Sequence, residues 1–266
     1  MLSLDSSAVI ITGASSGLGA EFARQLAPRA ARLLLVARRR EPMQELRAEL
    51  ERRWPALQVL ICPADLATEA GRGELVAFVK TQGFAPNVLI NNAGLGDYGA
   101  FTEADEERLR QQLEVNIGAV VYLTHALLPL LARPGGILNV SSLASTLPMP
   151  DLAVYAASKA FVTSFSEALT VELAGQGLQV SCVCPGPTPT SFGSNAKRAH
   201  GADTNRDGQE WLKMPPEKVV QQGLQALETG RTCVFPGRVV ALAASLFRCL
   251  PRPILRWLLR RRFQST

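Results

Sequence analysis

The chain has 266 residues, of which 47% are hydrophobic, 19% charged and 6% aromatic. That apolar share excludes a disordered chain and supplies a sizeable core, and the length fits one large α/β domain or two small ones. The 28 Lys and Arg exceed the 23 Asp and Glu by five, but eight Arg lie at 231, 238, 248, 252, 256, 260, 261 and 262, with no acid after residue 228. The remaining body is mildly acidic, with 20 basic against 23 acidic residues. Nucleic-acid binding is excluded on this count, because its basic residues spread over a docking face.

No run reaches the roughly 20 apolar residues of a membrane span. Met1 to Asp5 carry no basic residue and lead straight into an apolar run, so no signal peptide is expected. The cysteines at 62, 182, 184, 233 and 249 form no CxxC pair. They read as free thiols of a reducing, cytoplasmic compartment.

In chain order, short apolar runs occupy 8–12, 33–37, 59–62, 88–91, 137–141, 180–184 and 233–235. They are rich in Val, Ile and Leu without polar alternation, as strands buried on both faces of a parallel sheet are. Helical patterns lie between them at 18–27, 41–54, 68–82, 105–131, 153–174 and 217–228. This alternation predicts a doubly wound sheet in a single domain. The stretch 186–216 breaks the rhythm, being rich in Gly, Pro, Ser, Thr and Asn. It follows the carboxyl end of a strand, where such sheets bind ligands, and reads as a lid over substrate.

The first strand runs into Gly13-Ala14-Ser15-Ser16-Gly17-Leu18-Gly19 and then a helix. Glycines permit a tight turn and close approach to a pyrophosphate, and the helix N-terminus offers free N–H groups. A purely structural turn is the competing reading. The second strand ends at Ala37, where an acid would hold a ribose 2′-hydroxyl; Arg38 follows instead and suits a 2′-phosphate. NADP(H) is therefore expected over NAD(H), against the alternative of a solvated basic helix start.

The glycine loop, Asn91-Asn92-Ala93-Gly94, Ser142, Tyr155-x-x-x-Lys159 and Pro185-Gly186 follow one another at intervals that resemble the short-chain dehydrogenase/reductase family, in its single-domain branch. The resemblance covers about residues 5–237. It implies a Rossmann-type parallel sheet of seven strands flanked by helices, and an NADP(H)-dependent interconversion of a carbonyl and a secondary alcohol. The expected substrate is an apolar ketone or aldehyde or a 3-oxoacyl compound.

Tyr155 and Lys159 are four apart on a helix and share a face. A nearby ammonium favours the phenolate and so lowers the tyrosine pKa, which suits proton exchange with the substrate oxygen. Ser142 can hydrogen-bond the same oxygen; Ser141 competes for that role, although alternation points it the other way. The resemblance adds Asn116 as a fourth catalytic residue, holding a water linked to the lysine; a structural asparagine is the alternative. It also implies cofactor contacts from Gly13, Ser15, Ser16, Gly17, Leu18, Gly19, Asp65, Leu66, Asn91, Ala93, Gly94, Tyr155, Lys159, Pro185, Gly186, Thr188 and Thr190, and a homo-oligomer, dimer or tetramer. His125 and His200 lack ligand company, so no metal is expected.

A catalytic domain at 1–238 and a basic, apolar tail at 239–266 are expected. Arg248, Arg252, Arg256 and Arg260 are each four apart beside Leu, Ile and Trp. The tail either lies peripherally on a membrane or packs on the domain or another subunit. The rival to the enzyme is a non-catalytic NADP(H)-binding regulatory or redox-sensing protein.

Overall fold

The computed structural model describes residues 2–196, 198 and 213–264. Seven parallel strands form one sheet: β1 Ala8–Thr12, β2 Arg32–Ala37, β3 Gln58–Pro63, β4 Val88–Asn91, β5 Gly135–Val140, β6 Leu178–Val183 and β7 Cys233–Val234. Their order is β3-β2-β1-β4-β5-β6-β7, as a doubly wound sheet requires. The order reverses between β1 and β4, so a crevice opens at their carboxyl ends.

Two helical layers cover the sheet because successive strand residues point to opposite faces. Val9, Ile11, Leu33 and Leu35 bury against Phe22 and Leu26 of α1 (Gly17–Leu26), Met43 and Leu46 of α2 (Arg40–Arg53) and Val220 of α8 (Pro216–Thr229). Ile10, Leu34 and Leu89 turn the other way, onto Leu75 and Val79 of α3 (Glu69–Thr81) and Leu123 and Leu127 of α5 (Ala119–Leu127). A fully buried side chain of this kind contributes roughly 1.5–3 kcal/mol. The absence of polar alternation in the sequence thus has its cause in these two cores.

The helical pattern expected over 105–131 is not one α-helix. It consists of α4 (Glu106–Leu113), a π turn (Glu114–Gly118), α5 and a 3₁₀ turn (Leu128–Leu130). The run Glu106–Leu130 has the length and composition of a membrane span, contrary to expectation. Its apolar content is explained by Ala119, Leu123 and Leu127, which face the sheet.

α6 (Ala153–Glu172) precedes β6, and the expected lid contains a short helix, α7 (Ser191–Ala196). The rest of that stretch, at 197 and 199–212 and including His200, lies outside the described residues. The tail forms α9 (Arg238–Cys249) and α10 (Arg252–Gln264), broken at Pro251, which cannot donate a helical hydrogen bond. Val240 and Ala244 of α9 bury against Leu143, so the first helix of the tail docks beside the loop that follows Ser142.

Candidate active site

The loop after β1 needs its glycines. Gly13 and Gly17 have φ of 67° and 55°, where L side chains are strained. A Cβ on Gly19 would stand 2.2 Å from the Gly13 carbonyl oxygen. Ser16 caps α1 without a side-chain hydrogen bond, leaving first-turn N–H groups and the positive end of the helix dipole facing the crevice. Ser15, Ser16 and Leu18 are half-buried along this loop. The position of Gly17 also meets Thr190, whose Cβ lies 3.3 Å from where a Gly17 Cβ would be. The segment after β6 therefore crosses over the glycine loop. Thr188 Oγ1 donates to the Gly186 carbonyl at 3.1 Å, and Pro185 accepts a hydrogen bond from the Leu143 N–H at 2.7 Å.

Thr12 and Asn92, to which the sequence assigns no role of their own, join the loops after β1 and β4. Thr12 Oγ1 accepts the N–H groups of Asn92 and Ala93 at 2.9 and 3.0 Å, and Asn92 Nδ2 donates to the Thr12 carbonyl at 2.8 Å. The signal was the doubled asparagine, one side chain directed into the core and the other onto the Thr12 and Gly13 carbonyls. Asn91 is the inward one: its Nδ2 donates to Thr124 Oγ1 at 3.0 Å and Asn139 Oδ1 at 2.9 Å. Its side chain supports the turn from the core and has no free face for a cofactor. Leu66 likewise packs in the core, whereas Asp65 is exposed and its Oδ1 accepts the Ala67 N–H at 3.0 Å. Arg38 stands exposed just past β2 and has no ion pair or hydrogen bond among the described residues.

Ser142 and Ser141 separate as alternation requires. Ser141 is buried, with Oγ donating to the Lys159 carbonyl at 2.8 Å. Ser142 instead faces Tyr155, and its Oγ accepts the Ala144 N–H at 3.1 Å, capping a 3₁₀ turn (Leu143–Thr146). Lys159 Nζ donates to the Val140 carbonyl at 2.9 Å and lies 5.8 Å from the Tyr155 ring centroid. The expected lowering of the phenol pKa by that ammonium does not occur. Enclosure by protein pushes the Tyr155 phenol above its ordinary value of 10.0, and the Ser142 hydroxyl opposes this. No hydrogen bond joins the ammonium to the Tyr155 hydroxyl among the described residues. Burial lowers the Lys159 pKa to about 8.

Asn116 sits in the π turn, fully buried. Its Oδ1 accepts the Leu95 N–H at 2.8 Å, and its Nδ2 donates to the Leu95 carbonyl at 2.9 Å and to Ser158 Oγ at 3.0 Å. Single π turns recur at functional sites because they re-aim one side chain. At Gly94 a Cβ would come 3.4 Å from Lys159 Nζ and 3.5 Å from Asn116 Oδ1. That space beside an ammonium with donors to spare, together with the glycine cradle and the uncapped α1 terminus, fits a dinucleotide. Bound there, a nicotinamide supplies or accepts hydride.

Over the crevice, Phe192 of α7 packs at a tilt against Tyr155, with ring centroids 5.6 Å apart and planes at 47°. This cover is held by Asp97, 5% exposed. Its carboxylate accepts from Arg198 Nε at 3.0 Å and NH2 at 2.6 Å and pairs with Arg108 Nε at 2.8 Å. Arg108 also donates to the Asn195 carbonyl at 3.0 Å. Among the described residues no cluster of metal-binding side chains occurs.

The family model for short chain dehydrogenases matches residues 7–201. An 11-beta-hydroxysteroid dehydrogenase of Pinus massoniana is 38% identical over 185 residues, covering 69% of this chain and 51% of that protein. A very-long-chain 3-oxoacyl-CoA reductase of Neurospora crassa is 36% identical over 180 residues, covering 65% of this chain and 54% of that protein. The chain thus spans about half the length of these relatives. A solved short-chain dehydrogenase from Sphingobium yanoikuyae in complex with NADPH superposes with a TM-score of 0.76 at 26% identity, covering 92% of this chain and 97% of that one.

Proposed function

The chain belongs to the short-chain dehydrogenase family, and from that premise we propose that it is an oxidoreductase interconverting a carbonyl and a secondary alcohol. The observation that carries the reading is Tyr155 beside Ser142 at the carboxyl end of the sheet, with Lys159 on the same helix face. A phenol held protonated is the acid that carbonyl reduction needs: it donates to the substrate oxygen as negative charge develops there. Ser142 donates a hydrogen bond to the same oxygen. Lys159 supplies positive charge beneath the site, and Asn116 fixes the Leu95 backbone above Lys159 and Gly94. Nothing in the site favours the non-catalytic alternative.

The cofactor proposed is NADP(H), resting on Arg38 and on the lack of an acid at Ala37. Reduction of an apolar ketone or aldehyde, or of a 3-oxoacyl compound, is the proposed reaction; Phe192 gives the cover an apolar face, and 3-oxoacyl-CoA reduction is the activity of one relative by name. The free thiols of Cys62, Cys182 and Cys184, all buried, support a reducing, cytoplasmic compartment. Leu113, Val121, Tyr122 and Phe161 expose apolar surface that supports a homo-oligomer. The test is consumption of NADPH and of NADH against a panel of ketones, aldehydes and 3-oxoacyl thioesters. Turnover with at least one member, faster with NADPH, is expected; none across the panel overturns the reading.

A second reading adds a peripheral membrane contact. Val239, Leu242 and Leu246 are exposed on α9 and Ile254 and Trp257 on α10, in a segment without acids. Salt-sensitive sedimentation with anionic vesicles is its expected outcome.

A further inference from the structure

An open groove of about 620 Å³ lies between α10, α6 and the segment that follows the catalytic serine. Its size falls within the roughly 300–1,000 Å³ of small-molecule sites. One wall is the apolar run Leu147-Pro148-Met149, the floor is α6 at Ala157 and Ala160, and the far wall is Leu259 of α10. The alanines leave the groove open where longer side chains would close it.

Two charges lie in this apolar setting. Arg256 and Arg260 line the groove one helical turn apart. Neither has an ion pair or hydrogen bond among the described residues, and no acid occurs after residue 228 to neutralise them. Guanidinium groups match phosphate and carboxylate oxygens by geometry as well as charge. Ser145 lies in the same wall with its hydroxyl buried and unpartnered among the described residues, so the wall also has unused polar capacity.

We propose that this groove binds a single-chain anionic amphiphile from solution, its hydrocarbon chain on Leu147, Met149, Ala157 and Ala160 and its oxyanion on Arg256 and Arg260. Apolar length with an anionic end is the one chemistry that complements both parts of the groove. The groove's lining begins three residues after Ser142 and includes Ala156, the neighbour of Tyr155, but its ligand is read by binding alone and not by the proposed reaction.

Calorimetric titration with dodecyl phosphate, kept below micelle formation, tests it without any turnover readout. The wild-type chain is expected to bind it, and to bind dodecanol more weakly. The double variant Arg256→Gln/Arg260→Gln should lose about ten-fold or more for the phosphate and little for the alcohol, the scale of a lost charged hydrogen bond. Ala157→Phe fills the groove and should lose both ligands. Both variants should melt with the wild type, since Ala157 is exposed and the two arginines are unpaired. No binding of the monomeric amphiphile, binding only to anionic vesicles, or unchanged affinity in either variant would overturn the proposal.

Discussion

Lys159 donates a hydrogen bond to the carbonyl of Val140, at 2.9 Å, from a position only 4% exposed. Desolvation there lowers its pKa from 10.5 to about 8. Below pH 8 both the folded and unfolded chains hold the proton, and the folded chain carries the full penalty of a buried ammonium. Between about 8 and 10.5 the unfolded chain keeps a proton that the folded chain has lost, so this contribution to stability rises with pH. The difference amounts to something on the order of 3 kcal/mol. Lys159→Met should therefore be more stable than wild type at pH 7, with its advantage shrinking toward pH 10. Urea unfolding of the cofactor-free proteins across that range checks this, and a difference that does not vary with pH would contradict it.

Arg38 governs cofactor choice if its guanidinium meets a 2′-phosphate. Arg38→Ala should weaken NADPH by about 10- to 100-fold, the worth of one or two charge-assisted hydrogen bonds, and leave NADH nearly unchanged. Ala37→Asp should move preference further toward NADH by repelling the phosphate. Fluorescence titration of both cofactors measures this; equal losses for the two would remove Arg38 from the site.

Asp97 holds the cover. Its replacement by Ala would leave Arg198, whose side chain is 14% exposed, without its bidentate carboxylate and would break the link to Arg108. Removing one partner of a buried pair costs about 3 kcal/mol. With Phe192 no longer anchored near Tyr155, KM should rise more than kcat falls. Unfolding and steady-state kinetics on Asp97→Ala together test this, and a normal KM with normal stability would show that the clamp is incidental.

Much of the fold could be read from hydropathy because parallel strands buried on both faces carry unbroken apolar runs, and the phosphate loop because few residues other than glycine can occupy Gly13 and Gly17. Tyr155 and Lys159 are legible because their four-residue spacing falls in order with the glycine loop, Asn91 to Gly94 and Ser142. Other features leave no such mark. A π turn adds backbone without changing the apolar period, so Asn116 sat within what reads as one helix. The Asp97–Arg198 pair joins residues 101 apart, and only the folded chain brings them together. The pKa of Tyr155 depends on enclosure and on a distance from Lys159, neither of which is contained in the residue types. The docking of α9 on Leu143 was hidden because a helix with an apolar face can meet lipid, another subunit or its own domain.

In the proposed reaction Tyr155 gives the proton while hydride reaches the carbonyl carbon. This is tested most directly by reducing a confirmed substrate with NADPH deuterated at C4, in wild type and in Tyr155→Phe. The wild-type chain should place deuterium on the carbinol carbon. Tyr155→Phe should bind NADPH as wild type does while turnover falls by at least about 100-fold, the usual contribution of a general acid. Wild-type turnover in Tyr155→Phe, or alcohol formed without the label, would contradict the account.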